Sequence, residues 1–266
     1  MSSYQKLSII VPAYNKDSEV FQSICGYVNE LKHTLYDWEI IVVDDASKDK
    51  TLREAVRSKR FNGNSHRIKI FSYNLNQGKG FALYYGFKRS SGDIVAFADS
   101  DLDLPSQNIT SLLNAFRQTR TDIAIGSKRH PLSQVKYPLV RRIMSKTYQL
   151  LIKLLFNMNI SDTQVGVKIF NREVLEAAFP RIVIKRFAFD LELLVVAQSL
   201  GFTKIIECPV VLNYNFTSTI NFKAIKQILV DTLAIFYRKY ILKYYNLNHD
   251  NFSKDEAIIA SYQAYA

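Results

Sequence analysis

The strongest constraint on the fold is an alternation. Short apolar runs recur through the first half of the chain: "LSIIV" (7–11), "EIIVV" (39–43), "IKIFS" (68–72), "DIVAFA" (93–98) and "DIAIG" (122–126). Runs this short, rich in Val and Ile, read as buried strands. Segments of helical length separate them. These open near Asp17 and Ser18, near Ser47 to Thr51, after Gly80 and after Pro105, with residue types that start helices. The pattern predicts an α/β fold, a mostly parallel sheet flanked by helices on both faces. Such sheets bind ligands beyond the carboxyl ends of their strands.

That rule selects five loops. They read "PAYN", "DDAS", "YNLNQGKG", "DSDLDLP" and "GSKRHP", and most are rich in charge or hydrogen-bonding groups. In the fourth, Asp99, Asp101 and Asp103 alternate. On extended backbone, residues i and i+2 point the same way, so Asp99 and Asp101 can converge. Carboxylates so close need a compensating cation, and Mg²⁺ or Mn²⁺ held by one or two carboxylates and substrate phosphates would supply it. A plain turn before Pro105 is the competing reading. Asp103 is expected to cap the helix after Pro105. In the first two loops, Pro12 and Tyr14 offer a flat surface to a base, and Asp45 or Asp44 an acceptor for its N–H. A strand-ending turn and a helix cap explain the same residues. In "NQGKG" the glycines permit close backbone approach and Lys79 can reach a phosphate; a simple turn reads equally well.

The second half is more helical. Leu139, Ile143, Leu150, Leu151, Leu154 and Met158 recur at helical spacing, as do Phe222, Ile225, Leu229, Leu233, Phe236, Tyr240 and Tyr244. An apolar fraction of 48% supports a sizeable core. Cys25 and Cys208 form neither a metal spacing nor a disulfide framework, in keeping with a reducing compartment. No leader is expected at "MSSYQKLSIIVPAYN", and no run reaches the ~18 apolar residues that span a bilayer. The net charge of +11 is compatible with nucleic acid, an anionic membrane surface or an anionic substrate. The basic residues are spread along the chain, which argues against nucleic acid.

Taken together, "SIIVPAYN", "IIVVDDASKDKT", "NQGKGFALYYG" and "FADSD" resemble the family 2 glycosyltransferases of GT-A fold. The resemblance spans roughly residues 6–215. "SDTQVGVKIFNREV" (161–174) and "KRFAFDLELLVVAQSLGF" (185–202) are similar to the dolichyl-phosphate β-glucosyltransferase branch, whose near relatives are the mannose synthases. It implies a GT-A domain over 1–215, followed by an amphipathic helical extension (216–248) and a weakly ordered tail (249–266). It implies a UDP-glucose donor, a polyisoprenyl-phosphate acceptor and a Mg²⁺ or Mn²⁺ cofactor on Asp99 and Asp101. Pro12, Tyr14, Asp44, Asp45 and Lys79 would hold the donor. Lys128, Arg129, Arg141, Arg142, Gln164 and Arg186 would meet the acceptor phosphate, with Asp162 completing that end. The catalytic set would be Asp99, Asp101, Arg129 and Asp190. Asp190, four residues after Arg186, is expected to pair with it on a helix, and Glu192 can be a helix-surface charge.

Three positions depart from the family pattern. Lys16 follows "YN" where relatives carry Glu, Val165 replaces a Cys, and Lys128 stands for an Arg, with Arg129 beside it. The membrane anchor of the eukaryotic enzymes is not expected here. Lys223, Lys226, Arg238, Lys239 and Lys243 lie among aromatics, a pattern for peripheral contact with the cytoplasmic face of a membrane or for ordinary packing. Mannose transfer from GDP-mannose, a nucleic-acid-binding protein and a silent sugar-nucleotide sensor stand as alternatives.

Overall fold

A computed structural model describes residues 5–63, 65–133, 139–186, 188–213 and 222–247. The chain runs β1 (Lys6–Ala13), α1 (Val20–Lys32), β2 (Asp37–Asp44), α2 (Thr51–Phe61), β3 (Ile68–Ser72), α3 (Lys79–Phe87), β4 (Ile94–Phe97), α4 (Gln107–Thr119) and β5 (Ile123–Ser127). It continues through α5 (Leu139–Phe156), β6 (Lys168–Asn171), α6 (Arg172–Ala178), α7 (Phe189–Ser199), β7 (Ile205–Pro209) and α8 (Phe222–Phe236). A π turn (Tyr237–Ile241) and a 3-10 turn (Tyr244–Asn246) follow α8.

Among the described residues, seven strands form one sheet in the order β3–β2–β1–β4–β6–β5–β7. The five expected strands are all present. Two more, β6 and β7, complete the sheet, and β6 runs antiparallel to both β4 and β5. The register of β1 places Ala13 beside Asp44 and Ile10 beside Phe97. The carboxyl ends of β1, β2 and β4 therefore finish at one edge of the sheet.

Both faces of the strands are buried, which is why they read as near-continuous apolar runs. Leu7, Ile9 and Val11 of β1 pack with Ile24 and Val28 of α1 and Leu112 of α4. Ile10 points the other way, into a core with Val43, Phe81 of α3 and Phe189 of α7. Both the expected boundary at residue 215 and the tail from 249 lie outside the described residues. Beyond that boundary, Ile235 and Tyr245 are buried in the same core as Phe81 and Phe189. Tyr148 of α5 donates to Thr232 of α8 (2.9 Å), whose own hydroxyl donates to Ile228 O. Among the described residues no helix is long and apolar enough to cross a membrane.

Candidate active site

Hydrogen bonds donated by backbone amides lace the β1 and β2 loops together. The Asp45 amide donates to Ala13 O (2.8 Å), the Asn15 amide to Ser47 Oγ (3.0 Å) and the Lys48 amide to Asn15 Oδ1 (2.9 Å). Asn15 adopts a left-handed φ of 51°, which its short amide side chain tolerates. This brings Pro12 and the exposed ring of Tyr14 beside Asp44 and Asp45. The two carboxylates differ in what surrounds them. Asp45 accepts from Asn76 Nδ2 and from the amides of Gln77 and Gly78 (2.8–2.9 Å), so it staples the 76–78 loop to the end of β2. Asp44 accepts from the Ser47 amide on Oδ2 (3.3 Å), while its buried Oδ1 has no partner among the described residues. Burial pushes both carboxyls above their ordinary pKa.

Across the edge, Asp99 and Asp101 each face an ammonium. Lys79 donates to Asp99 Oδ1 at 2.7 Å, and Lys16 Nζ lies 3.8 Å from Asp101 Oδ2. Tyr27 and Ser23 of α1 hold the Asp99 carbonyl (2.8 and 3.3 Å). Burial disfavours the charge on Asp99, but Lys79, Lys168 and Lys128 outweigh it and lower its pKa. For Asp101 burial and the neighbouring Asp99 and Asp103 prevail, and its pKa rises. Asp99 lies directly over Gly166: a Cβ there would sit 1.6 Å from Oδ2. Any side chain at 166 would displace the carboxylate.

The donors suit a hard divalent cation, since both are carboxylate oxygens and their mutual repulsion is relieved by added positive charge. Among the described residues no group of three or more His, Cys, Asp or Glu could hold a metal. A cation here would complete its shell with substrate and water oxygens. Asp103 does not cap the following helix. α4 starts at Gln107 with Ser106 as its N-cap, three residues too far along, and Asp103 is exposed.

Residues 127–129 and 161–164 form the adjoining wall. The Lys128 amide donates to Asp162 Oδ2 (3.3 Å) and the Gln164 amide to Asp162 Oδ1 (3.2 Å). Glu207 of β7 fixes this turn by accepting from the amides of Ser161 (2.9 Å) and Asp162 (3.1 Å). Arg129 donates to Gln149 Oε1, linking the β5 loop to α5. Arg141 and Arg142 fall on α5, with side chains outside the described residues. Arg186 lies on the other side of the site, 3.5 Å from Asn76 Oδ1 and electrostatically coupled to Asp45.

The expected Arg186–Asp190 pair does not form, because α7 starts at Phe189 and Arg186 precedes it. Asp190 is buried and accepts from Lys168 Nζ at 2.5 Å, while Lys168 also donates to Val165 O (2.5 Å). Lys168 thus anchors the turn that carries Gly166 under Asp99. Glu192 is fully buried, not a surface charge. The sequence did contain a signal for Lys168: one lysine inside the apolar stretch "VGVKIF". A charge within a strand demands a buried partner.

Comparison with known proteins shows the family to which the sequence and the fold belong. A dolichyl-phosphate beta-glucosyltransferase of Saccharomyces cerevisiae is 28% identical over 72% of this chain and 62% of the relative. The Dictyostelium discoideum protein of the same name is 31% identical over 73% and 63%. This chain therefore spans somewhat under two thirds of the length of these curated relatives. Among solved structures, mannosyl-3-phosphoglycerate synthase from Rubrobacter xylanophilus superposes with a TM-score of 0.67 at 17% identity, covering 90% of this chain and 75% of that one. Glucosyl-3-phosphoglycerate synthase from Mycobacterium tuberculosis, in complex with Mn²⁺, uridine diphosphate and glucosyl-3-phosphoglycerate, gives 0.65 at 19% identity, covering 87% and 80%. The sheet with its flanking helices is the GT-A fold. The sequence model described as glycosyl transferase family 2 matches residues 8–179, and the chain belongs to that family.

Proposed function

We propose that this chain is a metal-dependent, inverting glycosyltransferase that moves glucose from UDP-glucose to the phosphate of a polyisoprenyl lipid such as dolichyl phosphate. The observation that carries the reading is the gathering of Lys16, Lys79 and Lys128 around Asp99 and Asp101 at the carboxyl edge of the sheet. The names of the curated relatives supply the sugar and the acceptor class, and the family resemblance of the sequence supplies UDP as the carrier.

Pro12 and Tyr14 offer surface to the uracil ring, and Asp44 and Asp45 offer acceptors to its N–H. Asp99 and Asp101 would hold Mg²⁺ or Mn²⁺ against the diphosphate; such a cation, when bound, neutralises the charge that develops on the leaving UDP. Lys79 and Lys16 are the chain's own cations at that place, able to turn from carboxylate to diphosphate as the donor enters. The nucleophile is a phosphate oxygen whose second pKa is near ~6, so it arrives deprotonated at pH 7 without a protein base. Asp190, locked onto Lys168, accordingly acts through position and not by proton transfer. What the chain must supply is alignment of two anions against their repulsion. Lys128 and Arg129 would meet the acceptor phosphate, and Arg141 and Arg142, which fall on α5, are assigned to it from the sequence alone. Asp162 and Gln164 shape its wall, and Arg186 serves the donor side.

A polyisoprenyl acceptor lies in a bilayer. α8 and its π turn expose Leu229, Val230, Leu233, Tyr237, Tyr240 and Ile241, and α5 exposes Leu150 and Leu154. Lys226, Lys239 and Lys243 punctuate the same stretch. An apolar face with basic residues suits peripheral contact with an anionic, cytoplasmic membrane surface.

The test is transfer itself. Purified chain is incubated with radiolabelled UDP-glucose, Mg²⁺ or Mn²⁺ and dolichyl phosphate in micelles, beside a GDP-mannose arm. Label extracted into organic solvent from UDP-glucose is the expected result. No lipid label from any donor overturns the acceptor assignment, and label from GDP-mannose alone replaces the donor.

A further inference from the structure

We infer that Glu192 is a positioning residue that makes the C-terminal segment part of the donor site. The inference rests on the donor-site reading of Lys79 and Asp99 given above. Glu192 sits on α7 with no exposed surface. Its Oε1 accepts from Tyr245 Oη (2.6 Å) and Arg238 Nη2 (2.9 Å), and Arg238 Nε donates in turn to Tyr245 Oη (3.0 Å). Its Oε2 accepts from the amides of Val183 (3.0 Å) and Ile184 (2.6 Å). One carboxylate thus takes two donors from the segment after α8 and two from the backbone that leads into the site.

The path continues without a gap. Lys185, next to Ile184, accepts from the Gly80 amide (2.8 Å). Gly78, at φ 97°, leaves no room for a side chain, since a Cβ would lie 2.6 Å from Lys185 O. The start of α3 is therefore seated on the 183–186 backbone, and Lys79, between these two glycines, reaches Asp99. Arg186, at the end of the same stretch, meets Asn76. Arg181 Nε adds a second tie by donating to the Tyr245 carbonyl (3.0 Å).

Packing alone would be served here by apolar side chains, which stabilise a buried site at least as well as an ion pair does. What the ionic arrangement adds is direction. Each donor removed leaves a buried acceptor or charge unpaired, so the two ends of the network hold or slip together. The segment supplying Arg238 and Tyr245 follows directly on the helix with the exposed apolar face. The seat of Lys79 is consequently set by how that segment docks.

The experiment uses the whole chain with Arg238→Met, Arg238→Lys and Tyr245→Phe. Binding of UDP with Mn²⁺ is measured by calorimetry, and amide hydrogen exchange is followed residue by residue. For Arg238→Met we expect UDP affinity to fall at least ~5-fold, the lower end of measured couplings between sites. We also expect faster exchange at Val183, Ile184 and Gly80, with Ile9–Val11 and Ile40–Val43 unchanged. Arg238→Lys, which keeps the charge, should recover part of both. Faster exchange confined to 237–247, with UDP affinity within ~2-fold of wild type, overturns the inference. If Arg238→Met loses protection in β1 and β2, Tyr245→Phe removes a single hydroxyl and is judged by the same criteria. Should the wild type fail to bind UDP, the donor-site reading fails and this inference with it. Failure of lipid transfer would sink the proposed reaction and leave these readouts standing.

Discussion

Replacing Asp190 with asparagine tests whether this residue is chemistry or scaffold. Lys168 Nζ is fully buried and has its two hydrogen bonds to Asp190 Oδ1 and Val165 O, both at 2.5 Å. The substituted side chain would present a neutral oxygen or an NH₂ group to that ammonium, leaving a buried charge without its counter-charge. Breaking one side of such a pair costs about 3–5 kcal/mol, a large share of the ~5–15 kcal/mol that holds a typical domain together. At about 2–4 °C per kcal/mol for a chain of this size, the melting temperature should fall by roughly 6–20 °C. Denaturant and thermal unfolding at pH 7 measure it directly. Asp190→Asn combined with Lys168→Met should recover part of the loss, because no unpaired charge is then left buried, although the new amide and Val165 O remain without partners. Turnover should fall in the single variant as well, since the Val165–Gly166 turn under Asp99 is no longer anchored. A single variant that keeps its stability within ~1 kcal/mol while losing turnover would refute this reasoning and show that Asp190 takes a direct part in the chemistry.

Three further outcomes follow from the geometry. Gly166→Ala places a Cβ where Asp99 Oδ2 now lies; calorimetry should show Mn²⁺-dependent UDP affinity at least ~10-fold weaker, and unchanged affinity would show that Asp99 is not a ligand. Lys16→Glu exchanges the ammonium 3.8 Å from Asp101 for a carboxylate, so Mn²⁺ titrated by electron paramagnetic resonance should bind roughly fivefold tighter or more, about 1 kcal/mol even at the dielectric of water. Glu39, at the opposite edge of the sheet, is pushed up by burial, but Lys69, Ser8, the Ser91 amide and Lys6 together hold its pKa at about 2. The folded value lies below the unfolded one, so this stabilisation of about 3 kcal/mol is present above pH ~4.5 and lost as pH falls towards ~2. Glu39→Gln should flatten that part of the stability profile, and an acid limb of equal steepness in the variant would contradict the assignment.

The fold was legible where burial on two faces wrote itself as Val and Ile. β1 to β5 are such runs, and the openings of α1 to α4 carry Ser, Thr, Gly or Pro. β6 was not legible, because it is four residues long and opens with Lys168, which by itself looks like a surface position. β7 hides for a similar reason, with Glu207 at its centre. The position of Asp99 and Asp101 just past the end of β4 was readable from the apolar run before them. Asp190 and Glu192 were not, because what buries them is distant: Lys168 lies 22 residues before the one and Arg238 46 residues after the other. A helix pattern reports its own faces but not the charge waiting on another element. The Arg186–Asp190 pair was misjudged because i,i+4 spacing has meaning only inside a helix, and α7 had not yet begun.

The reversed direction of β6 has an evolutionary side. For β1, β2 and β4 the loop that follows the strand reaches the site, and the loop before it is remote. For β6 the order is inverted: residues 161–167, which precede it, stand beside Asp99, and its far end enters α6, where Arg172 donates to Gly92 O (2.6 Å) at the opposite edge. Length changes after β6 are therefore open to drift, whereas the stretch before it is tied to the chemistry. At β6, unlike β1, β2 and β4, the part most resistant to insertion should be the approach to the strand and not the exit from it.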